Sequence, residues 1–239
     1  MHPRWKLVVT AIVFLLIGAV GTLVVSVMNP FGRPIRPAAP ISSLSSEGFT
    51  IETFKMEAPE DGLAVTHSGD KPMPPYPPGI GVLADDQIKQ GFVLLTKLRD
   101  QNGTVIGFTS EQEVVSSESN LAQGRLMTAS TWTLTIPGRG TIFLAEAENQ
   151  SEFVKKAALP ALALGREWNE PWTFVTTVGP DPSQRGVIVG GTDEFAGIFG
   201  TFVEVTHLRR FSTKGELVGT IELQLAYKRP DGQVKTGAK

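Results

Sequence analysis

The sequence predicts a mainly β protein, an eight-stranded antiparallel β-barrel that follows one N-terminal transmembrane helix. After Gln90, short runs in which apolar and polar residues alternate recur about every ten residues, as in strands with one buried face. Most of these runs are bounded by Gly, Asn, Asp or Pro, which favour turns. A long uncharged apolar segment precedes them. The eight predicted strands are residues 92–98, 105–115, 126–136, 141–147, 172–178, 187–189, 201–211 and 217–227.

Turn sequences separate several of these strands. Asp100-Gln101-Asn102-Gly103 and Pro137-Gly138-Arg139-Gly140 have the composition of hairpin turns. Residues 152–164 have a helical composition that Pro160 breaks, so we expect a short helix or an irregular loop over one end of the barrel. Residues 51–57 could form a further strand, which either packs across the barrel or pairs with an edge.

The uncharged segment covers residues 7–28, and these 22 residues are rich in Val, Leu and Ile. A helix of this length is about 33 Å long and matches a hydrocarbon core of about 30 Å. A cleaved signal peptide would have a shorter apolar region and a small-residue cleavage pattern, and no convincing pattern closes this segment. We therefore expect an uncleaved signal-anchor that crosses the membrane once, with the N-terminus inside and the barrel outside the cytoplasm.

Composition shifts divide the rest of the chain. Residues 29–46 are rich in proline and serine and are predicted to be an extended linker. Residues 47–90 are an N-terminal extension whose proline-rich loop is more typical of a rigid surface segment than of a ligand for a proline-binding module. Residues 91–230 are the predicted barrel.

Charge and cysteine content exclude some classes of function. Beyond residue 45 the chain has 18 basic and 24 acidic residues, a net charge of −6, so no nucleic-acid partner is expected. The chain has no cysteine, which excludes disulfides, thiolate metal sites and a cysteine nucleophile. Three scattered histidines predict no metal site, and we expect no cofactor.

A glycine-rich run, residues 190–200, joins two predicted strands. It contains Gly190, Gly191, Gly197 and Gly200, which suit a backbone that turns where side chains would clash. This strand–glycine loop–strand pattern resembles that of allene oxide cyclases and plant dirigent proteins. The stretch 98–109, a strand, an Asp/Asn-Gly turn and a strand with glycine, is similar to the first hairpin of that family.

The resemblance, which covers about residues 92–227, implies an eight-stranded antiparallel barrel around a cavity. Asp193 stands where the family usually has glycine, although aspartate tolerates a left-handed backbone better than most residues. Plant allene oxide cyclases are associated with a glutamate and a cysteine near the cavity, and this chain has no cysteine. The resemblance therefore implies the barrel without either plant chemistry.

Carboxylates that point into such a barrel are the candidates for catalysis. Glu111 and Glu113 share one face of their strand, as do Glu146 and Glu148, because side chains alternate. A carboxyl group in an apolar cavity has a raised pKa and can act as a general acid or base. On a solvated outer face the same pairs would have no such role.

Two further glutamates, Glu204 and Glu222, lie among apolar neighbours on the last two strands. Alternation places Glu222 on the face opposite Tyr227, and the pattern leaves open which face lines the cavity. The predicted catalytic candidates are therefore Glu111, Glu113, Glu204 and Glu222.

Aromatic residues could line an apolar pocket or fill a barrel core. The candidates for ligand binding are Trp132, Phe174, Phe199 and Tyr227. His207 lies beside two arginines and could bind an anionic group near a barrel mouth. Alternatively, the three residues are a basic cluster at the end of a strand and have no binding role.

Three hypotheses for function follow. The protein binds a hydrophobic small molecule and directs its cyclisation or isomerisation, chiefly by orientation. Alternatively, it is a non-catalytic carrier or sensor of a lipid or terpenoid near the bilayer, or a scaffold whose barrel is fully packed. A continuous lumen favours the first two, and a carboxylate that faces the lumen favours the first. The sequence leaves open whether the protein forms a homo-oligomer.

Overall fold

The computed structural model describes residues 14–18, 20–22, 48–67, 85–88, 91–120 and 123–230. The described residues form one large antiparallel sheet. Its strands are β1 (Thr50–Ala58), β2 (Gly62–His67), β3 (Gly91–Arg99), β4 (Val105–Val115), β5 (Met127–Ile136), β6 (Gly140–Asn149), β7 (Trp172–Val175), β8 (Thr177–Gly179), β9 (Gly186–Gly191), β10 (Phe199–Phe211) and β11 (Leu217–Lys228).

The sheet closes into a ring. Its order is β1-β11-β10-β9-β6-β5-β4-β3, and β3 then pairs with β1 where Arg99 lies opposite Lys55. These eight strands form a closed antiparallel barrel, which confirms the barrel part of the predicted fold. Strand β2 continues beside β3 beyond the point of closure. An interior of this size can hold side chains or one small ligand.

Two strand assignments differ from the sequence prediction. The undecided segment 51–57 lies within β1, which pairs along its whole length with β11 and completes the ring. The segment 172–178 forms two short strands instead of one, because its pairing partner changes along the segment. Strand β7 pairs with β10, and β8 pairs with β6. Both share with β9 the space between β6 and β10.

The half of the barrel near the glycine-rich run is filled by an apolar core. Members that are almost fully buried include Trp132, Leu134, Phe202 and Leu223. The end of this half is closed by a short 3₁₀ turn, Asp193–Phe195, whose Phe195 is fully buried. The glycine-rich run therefore closes this end of the barrel.

The four glycines of the run meet backbone or steric demands. Gly190 and Gly197 have φ angles of 152° and 70°. A Cβ at Gly191 would lie 2.6 Å from the Cβ of Phe195, and one at Gly200 would lie 2.1 Å from the carbonyl oxygen of Ala226. Asp193 takes a left-handed φ of 51°, as expected for its position in the motif.

A helix, α1, covers the other end of the barrel. It has three consecutive parts: Ser151–Phe153, the π-helical turn Val154–Ala158, and Leu159–Leu164. The predicted break at Pro160 is wrong. Pro160 lies in the first turn of the last part, where a missing N–H is tolerated. The helix ends at Gly165, which has a φ of 65°.

The N-terminal predictions fall largely outside the described residues. Of the predicted span 7–28, only residues 14–18 and 20–22 are described, and they are helical. In the described parts of the chain, no helix has the length and apolar character needed to cross a bilayer. The linker 29–46 and the proline-rich loop also lie outside the described residues.

Candidate functional site

A cavity of about 540 Å³ occupies the half of the barrel under helix α1. Its walls are largely apolar, with contributions from β3, β11 and the inner side of α1. Val114 and Leu162 line it and are more than half exposed, which places the mouth between the end of β4 and the helix. A barrel with a cavity of this size is not the fully packed scaffold considered above.

Aromatic packing holds α1 at this end. Phe153 of the helix stacks on Phe174 of β7 with ring centroids 5.8 Å apart, and it meets the edge of Phe211 at 5.2 Å. Trp172 lies 4.2 Å from Phe174. Phe174, one of the residues proposed from the sequence for ligand binding, lines the cavity.

Five glutamates point into the barrel at the inner end of the cavity. Strand alternation brings Glu111 and Glu113 inward from β4, Glu146 and Glu148 from β6, and Glu204 from β10. Glu113, Ser130 and Glu146 stand opposite one another on three neighbouring strands. All but Glu146 line the cavity directly. Charged side chains are rarely buried without partners, so this group is the clearest chemical feature of the molecule.

Glu146 is anchored by two donors. Its Oε1 accepts a hydrogen bond from Trp132 Nε1 at 3.0 Å, and its Oε2 accepts one from the Thr177 hydroxyl at 2.6 Å. The same Thr177 oxygen accepts the backbone N–H of Glu204 at 2.8 Å. Burial nevertheless raises the pKa of Glu146 well above its ordinary value, and the charge of Glu148 adds to the effect.

Among the five glutamates, Glu148 accepts the most hydrogen bonds from protein groups. Ser130 donates to its Oε2 at 2.5 Å, Thr128 approaches the same oxygen at 3.4 Å, and Gln150 Nε2 donates to its Oε1 at 3.1 Å. Burial raises the pKa of Glu148, but the hydroxyl groups of Ser130 and Thr128 work against that rise. Glu148 is therefore the carboxylate that the site stabilises best.

Glu204 has the opposite environment. It is only 7% exposed, its Oε2 has no hydrogen-bond partner, and its Oε1 is approached only by Thr206 at 3.5 Å. Burial raises its pKa well above the ordinary value, and four neighbouring glutamates, Glu148 first, raise it further. The site therefore favours the neutral form of the Glu204 carboxyl group.

The two glutamates of β4 are also weak acids. Burial, followed by the charge of Glu113, raises the pKa of Glu111 well above its ordinary value. Burial and the charge of Glu148 raise the pKa of Glu113 to about 7. The site therefore holds several carboxyl groups whose pKa values are raised by burial and by one another.

One set of residues in the described part of the chain could hold a metal ion. Carboxylate oxygens of Glu146, Glu148 and Glu204 lie within 4.8 Å of one another. All-oxygen sets of this kind suit hard cations such as Ca²⁺ or Mg²⁺. Both oxygens of Glu146 and of Glu148 already accept hydrogen bonds, which leaves Glu204 Oε2 as the uncommitted ligand atom.

The other predicted site residues lie away from the cavity. Glu222 is on the outer face of β11, 3.3 Å from Lys55 Nζ and 3.5 Å from His207 Nε2. His207 is likewise on the outer face, where its Nδ1 also hydrogen-bonds the Thr173 hydroxyl at 2.9 Å. We therefore leave Glu222 and His207 out of the site.

Three predicted aromatic residues do not line the cavity either. Phe199 is 55% exposed near the end that the glycine-rich run closes. Tyr227 and Trp132 are buried in the apolar core, and Trp132 reaches the site only through its hydrogen bond to Glu146.

The sequence analysis missed several polar residues of the site. Glu146 and Glu148 were recognised as a pair on one face but were not among the predicted catalytic residues. Ser130 and Thr128, which are 2% and 6% exposed, gave no separate signal. Alternation within β5 places both on the face of the buried Trp132, and that pattern could have identified them.

Comparison with protein-family models and with curated proteins gives no match. Among solved structures, the chain is similar to a nonspecific heme-binding cyclase that catalyses [4+2] cycloaddition in neoabyssomicin biosynthesis, with 14% identity, a TM-score of 0.37, and coverage of 83% of this chain and 73% of the other. It is similar to the pterocarpan synthase dirigent protein PsPTS1, with 13% identity, a TM-score of 0.38, and coverage of 78% and 98%. It is also similar to the Diels-Alderase AbmU from Streptomyces koyangensis, with 12% identity, a TM-score of 0.37, and coverage of 82% and 76%.

Proposed function

We propose that this protein binds an apolar small molecule in its barrel and directs its isomerisation or cyclisation by acid–base catalysis. The observation that carries the proposal is a largely apolar cavity of about 540 Å³ with buried glutamates at its inner end, of which Glu148 accepts several hydrogen bonds and Glu204 Oε2 none. Ligand cavities are typically about 300–1,000 Å³, apolar, and equipped with a few convergent polar groups. The cavity matches that description in both size and lining.

Glu204 and Glu148 are the residues that would carry the chemistry. The protonated Glu204 donates its proton to an acceptor atom of the substrate, while the ionised Glu148 removes a proton from carbon elsewhere on the same molecule. The double bond moves or the ring closes, and the product has the formula of the substrate. The proton gained by Glu148 then returns to Glu204, whose carboxyl oxygen lies within 4.8 Å.

The apolar walls would supply the rest of the rate enhancement. A flexible substrate held against Phe174, Phe211 and the inner face of α1 can adopt few conformations, which favours one reaction geometry. Exclusion of water also strengthens the interactions of the carboxyl groups with charge that develops on the substrate.

We further propose that residues 7–28 tether the barrel to a membrane, with the barrel outside the cytoplasm. The support is the uncharged apolar sequence of this segment and the proline-rich linker that follows it. The expected result is that the full chain stays with membranes after alkaline carbonate washing and that a chain starting at residue 46 does not. Release of the full chain by carbonate would contradict the tether.

The catalytic proposal is tested with the full chain in phosphatidylcholine nanodiscs, incubated with a membrane lipid extract and analysed by mass spectrometry. We expect an apolar compound to be retained and converted to an isomer of equal mass. Glu204→Gln and Glu148→Gln should each abolish conversion. Glu222→Gln, the same change on the outer face, should leave it intact. Retention of an unchanged compound would favour a carrier, and conversion by both inner variants would exclude these two residues as catalysts.

A further inference from the structure

The ionisable side chains that line the cavity in the described part of the chain are all acidic. Among the described residues that line the cavity, there are four glutamates, Glu111, Glu113, Glu148 and Glu204, and no lysine, arginine or histidine. The elements that face these glutamates contribute apolar groups, such as Ala158 of α1 and Ile221 of β11, hydroxyl groups, and the amide of Gln150. Glu146 adds a fifth carboxyl group directly behind the lining.

One carboxyl oxygen in this lining has no partner. Glu204 Oε2 is completely buried and accepts no hydrogen bond, although the side chain borders the cavity. A buried acceptor without a donor is costly, so native structures rarely contain one. A donor on a bound molecule would satisfy it, and carboxylate oxygens of Glu146 and Glu148 lie within 4.8 Å.

We propose that the ligand is a lipophilic amine, an apolar molecule with a protonated basic nitrogen at one end. The inference rests on the proposed function only in taking this cavity as the ligand site. The ammonium group would donate hydrogen bonds to Glu204 and Glu148, and the apolar body would lie between β3, β11 and α1. Charge-assisted hydrogen bonds of this kind are about twice as strong as neutral ones.

The same arrangement disfavours other ligands. A fatty acid or a phosphorylated lipid would place a second negative charge beside five carboxyl groups without any cation in the described lining. A bare metal ion would fill little of a 540 Å³ cavity and would find one uncommitted oxygen, at Glu204. An apolar alcohol could enter, but it would gain no charge-assisted bond.

A cation in this site also changes the protonation of the cavity. The glutamates that face it are Glu111 and Glu113 from β4, Glu146 and Glu148 from β6, and Glu204 from β10. Burial raises the pKa of each of these five carboxyl groups, and that of Glu113 to about 7, so Glu113 is partly protonated at neutral pH in the empty barrel. An ammonium ion favours ionised carboxylates around it, so its binding should release protons, chiefly from Glu113, and should weaken at low pH.

The test compares dodecylamine, dodecanol and dodecanoate, three probes with the same chain length and different end groups. Binding to the full chain in phosphatidylcholine nanodiscs is measured by calorimetry at neutral pH, in two buffers of different protonation enthalpy, with empty nanodiscs subtracted. We expect the amine to bind at least about tenfold more tightly than the alcohol, with proton release, and the carboxylate to bind weakest. The double variant E148Q/E204Q should lose the preference for the amine, and Glu222→Gln should keep it.

Equal binding of amine and alcohol, or tighter binding of dodecanoate, would overturn the inference. So would a Glu148→Gln/Glu204→Gln variant that keeps the full preference for the amine. None of these results touches the proposed acid–base function, which is judged by the conversion assay with the single variants. If conversion depends on Glu204 but the converted compound has no basic nitrogen, only the present inference fails.

Discussion

Glu204 and Glu148 face the same cavity but differ in the donors around their carboxyl groups. Glu148 receives hydrogen bonds from Ser130 and Gln150, whereas Glu204 Oε2 receives none. Both are almost fully buried, so burial alone cannot separate them. The difference arises from hydrogen bonding and from the mutual repulsion of the glutamates: the pKa of Glu204 is raised well above its ordinary value, whereas hydrogen-bond donors oppose the rise for Glu148.

This arrangement predicts an unusual dependence of stability on pH. The pKa values of Glu111, Glu146 and Glu204 are well above 4.5 in the folded protein, and that of Glu113 is about 7. The folded state therefore binds more protons than the unfolded state above about pH 4.5, and the free energy of unfolding falls as pH rises. Glu113 alone would account for up to roughly 3 kcal/mol of this loss.

We expect the unfolding temperature, followed by circular dichroism, to be highest near pH 5 and lower at about pH 8. Glu204→Gln should make this decline shallower because one titrating group is gone. Glu222→Gln is the matched control, since the pKa of Glu222 is lowered and its titration lies below this range. A protein that gains stability from pH 5 to pH 8 would contradict the account.

Helix α1 is the element that limits the cavity. Ala158 lies on its inner side and lines the cavity, whereas Ala163 is exposed on the same helix. A phenylalanine at position 158 can enter existing space, so we expect Ala158→Phe to fold and to lose most of the ligand retained by the full chain. Ala163→Phe should retain as much as the unchanged protein, as judged by mass spectrometry. Equal retention by both variants would show that the ligand does not lie under α1.

The glycine-rich run is the element that closes the opposite end. A Cβ at Gly191 would lie 2.7 Å from the carbonyl oxygen of Thr141, which belongs to a neighbouring strand. We expect Gly191→Ala to lower the free energy of unfolding by about 1–3 kcal/mol in urea titrations. Gly62→Ala is the control, because its Cβ would meet only Leu94 Cδ1 at 3.7 Å. A loss at Gly191 no larger than at Gly62 would contradict the tight fit.

Much of the strand pattern could be predicted from the sequence. Residues 105–115 were predicted as one strand and form β4 with those bounds. Alternation is a local property, and turn residues mark its limits. The division of residues 172–178 was missed because it depends on a change of pairing partner, which no local pattern records. The position of Pro160 was misjudged because the helix adjusts through a π turn.

The candidate site was harder to predict because it depends on register. Glu204 and Glu222 lie on adjacent strands among similar apolar neighbours. Closure of the barrel pairs Glu204 with Leu223, which lies inside, and Glu222 with Val205, which lies on the other face. A shift of one residue would exchange the two glutamates. Pairing across distant strands fixes this choice, so alternation alone left it open.

At the scale of the whole molecule, the ring is completed where β3 meets β1, and a buried ion pair lies at this junction. The Asp61 side chain is inaccessible to solvent, and its carboxylate accepts hydrogen bonds from Arg99 at 2.5 and 2.7 Å. Burial by itself would raise the pKa of Asp61, but the bonds from Arg99 and from the Glu57 N–H lower it. The pair therefore fixes the turn after β1 against β3.

We expect Arg99→Ala to cost about 3–5 kcal/mol in urea unfolding, because it leaves a buried carboxylate without its main partner. Lys97→Ala is the control: Lys97 Nζ lies 3.8 Å from the same carboxylate but is 56% exposed, so its loss should cost less than about 1 kcal/mol. Equal losses for the two variants would show that this pair does not secure the closure.

The most direct measurement for the whole account is a carbon NMR titration of the glutamate side-chain carboxyl groups in the full chain, assigned by single Glu→Gln variants. The account predicts that Glu204 titrates well above its ordinary value, that Glu113 titrates at about 7, and that Glu222 titrates below its ordinary value. If all five inner glutamates titrate near 4.5 as solvated carboxylates do, the barrel has no acidic cavity and the proposed chemistry is wrong.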